Sequence, residues 1–196
     1  MQGEADDQAR SVRGGAQRQQ TLVLLSGGLD SATALASIGR RDPAVSSLFV
    51  DYMQPARVEE REAAERIAAN FGSSHSTVCI DGLDIPSGEI LGRNAMLVIA
   101  AMASVEPPAT IVLGIHQGTE YWDCSPEFLS CMQALLDGYT SGTHQLLAPF
   151  AALGKPDVHC LALDLGLDPS LTYSCELAGG PCGDCASCRD KETLAC

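Results

Sequence analysis

The apolar run Thr21-Leu22-Val23-Leu24-Leu25 passes directly into Ser26-Gly27-Gly28-Leu29-Asp30-Ser31, and that turn leads into Ala32-Thr33-Ala34-Leu35-Ala36-Ser37-Ile38. A short apolar run stopped by glycine reads as a strand, and the alanine-rich stretch after it reads as a helix. A strand therefore runs into a glycine-rich turn that opens a helix. The glycines can take positive φ and let a ligand approach the backbone closely. The helix start offers unpaired N–H groups and the positive end of its dipole. Ser26 and Ser31 add hydroxyls, so the turn is a candidate site for phosphate or pyrophosphate. No Gly-Lys-Ser/Thr follows, which excludes the Walker pattern. No Gly-x-Ser-x-Gly is present either, so Ser26 is a poor candidate for a hydrolase nucleophile. The competing reading is a tight turn with no ligand.

At 196 residues and 45% hydrophobic content the chain suits one domain, with room for a small appendage. No apolar run is long enough to cross a bilayer, so no membrane partner is expected. Met1 to Gln20 is polar and lacks an apolar h-region. It reads as a disordered tail and not as a secretory signal. A formal charge of -13 argues against a nucleic-acid surface and for a nucleotide held in a pocket. Arg57, Arg61 and Arg66 interleave with Glu59, Glu60, Glu62 and Glu65, which reads as a solvated helix face. Nine cysteines without a leader point to a reducing cytoplasm and metal binding.

Strand and helix signals then alternate. Strands are expected at Ser46–Asp51, Ser76–Ile80 and Thr110–Ile115. Helices are expected at Val58–Phe71, Asn94–Val105, Pro126–Leu136 and Asp157–Leu165, the second of them buried. The predicted fold is α/β, a Rossmann-like parallel sheet with helices on both faces, spanning 21–170 and followed by a metal-binding segment over 171–196. Ligands of such sheets bind beyond the carboxyl ends of the strands. The Ser26–Ser31 turn, Asp51-Tyr52 and Gly114-Ile115-His116-Gln117 all fall at such ends and are expected to share one crevice, with His116 a pocket candidate.

Cys175, Cys182, Cys185 and Cys188 form C-x6-C-x2-C-x2-C, with Gly179, Gly180 and Gly183 between and beside them. Four thiolates at this spacing suit tetrahedral zinc and leave no open position, so the metal is expected to be structural. An iron–sulfur cluster uses the same ligands and is the competitor. Cys79, Cys131 and Cys160 sit in apolar stretches and are expected in the core.

Ser26-Gly27-Gly28-Leu29-Asp30-Ser31 resembles the pyrophosphate loop of the N-type ATP pyrophosphatases, the PP-loop enzymes. Further pieces follow in order: Tyr52-x-Gln54-x-x-Arg57-x-Glu59, Gly92-Arg93-Asn94, Asp123-Cys124, Glu127-Phe128, Pro149, Lys155, Thr172-Tyr173-Ser174-Cys175 and the last three cysteines. With them the chain resembles the 7-cyano-7-deazaguanine synthases, the QueC family, over about Leu22 to Cys188. The resemblance implies a fold like the adenine nucleotide alpha hydrolases and the use of ATP, Mg²⁺ and structural zinc. It also implies a homodimer acting on 7-carboxy-7-deazaguanine. ATP adenylates the acid and releases pyrophosphate, ammonia gives the amide, and a second ATP takes the amide to the nitrile. In that register ATP is bound by Leu25, Ser26, Gly27, Gly28, Leu29, Asp30 and Ser31. Ser26, Asp30, Ser31 and Lys155 are the catalytic candidates. Tyr52, Gln54, Arg93, Asn94 and Asp123 are the substrate candidates, Arg93 as a bidentate donor and Asp123 as acceptor for a guanine-like edge. Outside that register, Lys155 is also an ordinary exposed lysine, Arg93 and Asn94 are helix-capping residues, and Asp123 is a loop residue. Tyr121 and Trp122 either stack on a purine or cover a core edge.

The chain also departs from the family. Met53-Gln54-Pro55-Ala56 stands where the family has Gly-Gln-Arg-His. The stretch from Ile80 to Gly92 is much shorter than the family's loop. Glu120-Tyr121-Trp122-Asp123-Cys124-Ser125 is a compressed form of the family's Asp-x-Ser-Gly-Tyr-Pro-Asp-Cys-Arg. These departures keep a second expectation open, a divergent member from a bacterial antiviral gene cluster that joins the activated deazaguanine to a protein amine. A tRNA-thiolating PP-loop enzyme and a non-catalytic zinc-bearing nucleotide-binding module are the remaining alternatives.

Overall fold

A computed structural model describes residues 19–85 and 90–193. The elements run β1 (Gln20–Leu24), α1 (Leu29–Gly39), β2 (Ser46–Asp51), α2 (Arg57–Asn70), β3 (Ser74–Cys79), α3 (Arg93–Ser104), β4 (Ala109–Val112), α4 (Pro126–Thr140), β5 (His144–Leu147), α5 (Lys155–Asp164) and α6 (Ala186–Thr193). The strands form one five-stranded sheet in the order β3-β2-β1-β4-β5. Every pairing in it is parallel. The chain winds outward from β1 through β2 to β3, then returns to the other side of β1 for β4 and β5. The switch point therefore lies between β1 and β4, where a Rossmann-like sheet opens its crevice.

Alternation along the strands builds the two faces. Val23, Leu25, Phe49 and Val112 point to a core closed by α1, α2 and α5. Leu22, Leu24, Leu48, Val50, Ile111 and Leu113 point to a second core closed by α3 and α4. The central strands are thus apolar on both sides, as a covered parallel sheet requires. Pro126 opens α4 at its first position, and the Ser125 hydroxyl accepts from the Phe128 N–H at 3.1 Å.

Several sequence expectations need correction. The helix expected to be buried over Asn94–Val105 is only partly so: Asn94, Val98 and Ala101 are buried, and Ile99 is exposed. Cys79 and Cys131 are exposed and not core, and Cys160 is half-buried. The fourth helix continues past Leu136 to Thr140, whose hydroxyl donates to the Leu136 carbonyl at 2.8 Å. Gln20, placed by sequence in the tail, belongs to β1; Met1 to Arg18 lie outside the described residues. The strand β5 and the helix α6 add to the expected elements, and Leu194 to Cys196 lie outside the described residues.

Candidate active site

The Ser26–Ser31 turn does what two glycines before a helix permit. Gly27 holds φ +84, and a Cβ there would lie 2.4 Å from the Glu60 carbonyl oxygen, so both its conformation and its space admit only glycine. Gly28 is the N-cap of α1 and gives that helix no side-chain cap. The hydroxyls stabilise the turn from within: Ser31 Oγ donates to the Gly28 carbonyl at 3.0 Å, accepts from the Ser26 N–H at 3.2 Å and lies 3.1 Å from Ser26 Oγ. Gly114, at the end of β4, sits against this first turn; a Cβ there would lie 3.0 Å from the Asp30 carbonyl oxygen. The positive end of α1 therefore opens at the switch point.

A cavity of about 890 Å³ begins here. Leu25, Ser26, Gly28, Leu29, Asp30, Ser31 and Lys155 line it, as do Tyr52, Gln54, Arg93 and Asn94. Lys155 opens α5 and crosses to α1, where its Nζ donates to Asp30 Oδ2 at 2.6 Å. Asp30 Oδ1 is buried without a hydrogen-bond partner among the described residues. His116, which also lines the cavity, holds Nε2 3.9 Å from Asp30 Oδ2, while its Nδ1 lies 2.7 Å from the Gln117 carbonyl. Nothing in the sequence pairs either residue with Asp30.

A second wall is a polar network. Gln54 is buried: its Oε1 accepts from the Tyr52 N–H at 2.9 Å, and its Nε2 donates to Glu60 Oε2 at 2.8 Å. The Arg93 guanidinium donates to the Tyr52 hydroxyl. Burial pushes the Tyr52 phenol up, with Arg93 opposing it. Burial also pushes the Glu60 carboxyl up, against the Gln54 hydrogen bond and the Arg93 charge. Glu60 thus lines the cavity and is not part of the solvated face the charge pattern suggested. Glu62, Glu65 and Arg66 on that face do meet solvent, with Arg66 and Glu62 3.9 Å apart.

Asp123 is placed differently from expectation. It is not among the cavity-lining residues. Its Oδ2 accepts from the Asn94 N–H at 3.2 Å, and its carbonyl accepts from Asn94 Nδ2 at 2.9 Å, so it caps α3. Asn94 is buried by the same pair of bonds. Trp122 packs edge-on against Phe128, with centroids 5.6 Å apart at 79°, while Tyr121 faces the cavity.

The four cysteines converge. Their sulfurs all lie within 4.8 Å of one another, and Cys175 and Cys188 are buried. Tetrahedral zinc with bonds of about 2.3 Å needs sulfurs roughly 3.8 Å apart, so the group fits that ion. Backbone N–H groups of Asp184 and Cys185 donate to Cys182 Sγ at 3.4 and 3.3 Å and hold its thiol down to about 7, which favours the ligating thiolate. The segment is tied to the glycine turn. The Tyr173 N–H donates to the Gly27 carbonyl at 2.9 Å, and the Gly179 N–H donates to Glu59 Oε1 at 2.7 Å.

The model of the queuosine biosynthesis protein QueC matches residues 20–91 and 80–194. The chain belongs to the QueC family. The 7-cyano-7-deazaguanine synthase of Frankia casuarinae is 33% identical, over 93% of this chain and 92% of its own. That of Synechococcus sp. strain RCC307 is 32% identical, over 88% and 92%. The Frankia alignment runs over 217 positions against the 196 residues here, so this QueC member lacks segments its relative has. The two stretches matched by the family model overlap across 80–91, where the sequence departs from the QueC pattern by its short loop. Among solved structures, the NMN synthetase from Francisella tularensis has a TM-score of 0.53 at 15% identity, covering 85% of this chain and 71% of its own, a likeness of fold alone.

Proposed function

We propose that this chain is a ligase that activates 7-carboxy-7-deazaguanine with ATP and forms a C–N bond on the route to 7-cyano-7-deazaguanine (preQ0). The observation that carries the reading is that the uncapped start of α1, with the Lys155–Asp30 pair beside it, opens into the same cavity as Arg93. A carboxylate is a poor electrophile until its oxygen bonds the α-phosphorus of ATP and pyrophosphate leaves. The enzyme must hold the two in line and stabilise the charge that departs. The first N–H groups of α1, with Ser26 and Ser31, suit the pyrophosphate. Lys155 supplies a cation at the same end, and Arg93 suits the acid or a phosphate as a two-pronged donor. Asp30 Oδ1, a hard oxygen with no partner among the described residues, suits Mg²⁺, which would neutralise phosphate charge. Ammonia then attacks the acyl carbon, the C–O bond to AMP breaks and an amide remains. A second ATP takes the amide oxygen and leaves the nitrile.

The test is pyrophosphate release with and without the acid. Strong stimulation by 7-carboxy-7-deazaguanine is expected, and none would remove the reading. One observation favours a second acceptor. The stretch from Ile80 to Gly92 is short in sequence, and that shortening is what motivates an amine larger than ammonia. Mass spectrometry of partner proteins after incubation with ATP and the acid separates the two. A mass gain on protein supports the larger amine, and free nitrile alone supports ammonia.

A further inference from the structure

The cavity has to hold two purine-like groups, the adenine of ATP and the deazaguanine of the acid, and it has to keep them in their own places. That requirement rests on the substrate reading above. The two edges differ in one respect a protein can use. A guanine-type edge offers two adjacent donors, the ring N–H and the exocyclic amino group. Adenine offers a donor beside a lone pair. An ionised carboxylate accepts only, so it pairs with the first and repels the second. The loop residue Asp123, the acceptor suggested by sequence, does not line the cavity. Glu60 is a carboxylate that does line the cavity, and it is the one built into the Gln54–Tyr52–Arg93 wall.

We propose that Glu60 is the specificity-determining residue that accepts the paired donors of the deazaguanine ring and excludes adenine from that position. Its surroundings hold it in one pose. Gln54 donates to Oε2 at 2.8 Å, and Gln54 is itself fixed by the Tyr52 N–H at 2.9 Å. The α2 backbone at Glu60 lies directly under Gly27, since a Cβ on Gly27 would meet the Glu60 carbonyl at 2.4 Å. The position of this carboxylate is therefore coupled to that of the glycine turn. Gln54 takes one lone pair of Oε2, and a carboxylate has about four acceptor positions, so capacity remains for two further donors. A site built around such donors rejects an analogue that lacks one of them, because the buried acceptor is left unpaired.

The experiment is titration calorimetry of wild type and Glu60→Gln with 7-carboxy-7-deazaguanine and with its analogue lacking the exocyclic amino group, alongside KM for ATP. Wild type should prefer the amino-bearing acid by about tenfold or more, as expected for a lost hydrogen bond to a charged group. Glu60→Gln should bring that ratio to within about threefold of one and leave KM for ATP within about twofold, since only the deazaguanine contact is lost. A packing role alone would weaken both acids equally and keep the ratio. Glu60→Gln keeps an acceptor oxygen for Gln54 Nε2, and its melting temperature is recorded alongside so that a folding defect is visible separately. Equal binding of the two acids by wild type, a ratio unchanged in the variant, or a rise in ATP KM alone would each overturn the proposal. Selective binding without pyrophosphate release would instead defeat the activity and leave Glu60 in its role.

Discussion

Met53 holds φ +69, a left-handed conformation that suits glycine, at the position where the family carries glycine. A side chain there strains the backbone by about 1–2 kcal/mol. The Met53 N–H donates to Asp51 Oδ1 at 3.1 Å, and that bond helps keep the turn after β2 in place. Met53→Gly should therefore raise stability by up to about 1 kcal/mol, after the entropy of the freer unfolded chain is set against the relieved strain. Chemical denaturation is the check, and a loss of stability would mean that the contact of the Arg57 guanidinium with Met53 Sδ, at 2.6 Å, outweighs the strain. The glycines of the turn are legible in the sequence because conformation and close approach leave no other residue. Glu60 is not legible there: the charges around it read as a solvated face, and its depth depends on α2 packing under Gly27. Asp123 shows the converse, a residue in family register that lies outside the cavity lining and accepts from the N–H of Asn94.

The last segment of the chain is an element in its own right, held by its four sulfurs and bonded to the turn. With the Tyr173 N–H on the Gly27 carbonyl and the Gly179 N–H on Glu59, its order is transmitted to the start of α1. Removing zinc with a chelator should lower the melting temperature and reduce pyrophosphate release roughly tenfold or more, because small displacements of positioned groups are costly. Returning zinc should restore both. Full activity in the metal-free protein would show that the turn keeps its shape unaided. The strong elements are readable from periodicity and glycine stops, and β2 falls where the sequence puts it at both ends. The strand β5 escapes such reading because His144-Gln145-Leu146-Leu147 is short and half polar, and its place is fixed by pairing with β4. The burial of α3 is less than its composition suggests: one face, through Val98 and Ala101, enters the core, and Ile99 lies on the exposed side.

At the scale of the molecule, a sheet that reverses its winding between β1 and β4 brings the glycine turn, the His116 loop and the start of α5 to one crevice. A net charge of -13 leaves local cations such as Lys155 and Arg93 to receive an anionic nucleotide, without a basic surface around them. In the proposed reaction the acid's own oxygen attacks the α-phosphorus. Turnover of 7-carboxy-7-deazaguanine labelled with ¹⁸O in its carboxylate, followed by mass spectrometry of the AMP released, tests this most directly. The AMP released should carry one ¹⁸O. If turnover proceeds to the nitrile, both labels leave on successive AMP molecules; if it stops at an amide, one label stays in the product. Unlabelled AMP accompanying turnover of the labelled acid would contradict activation through the acyl-adenylate.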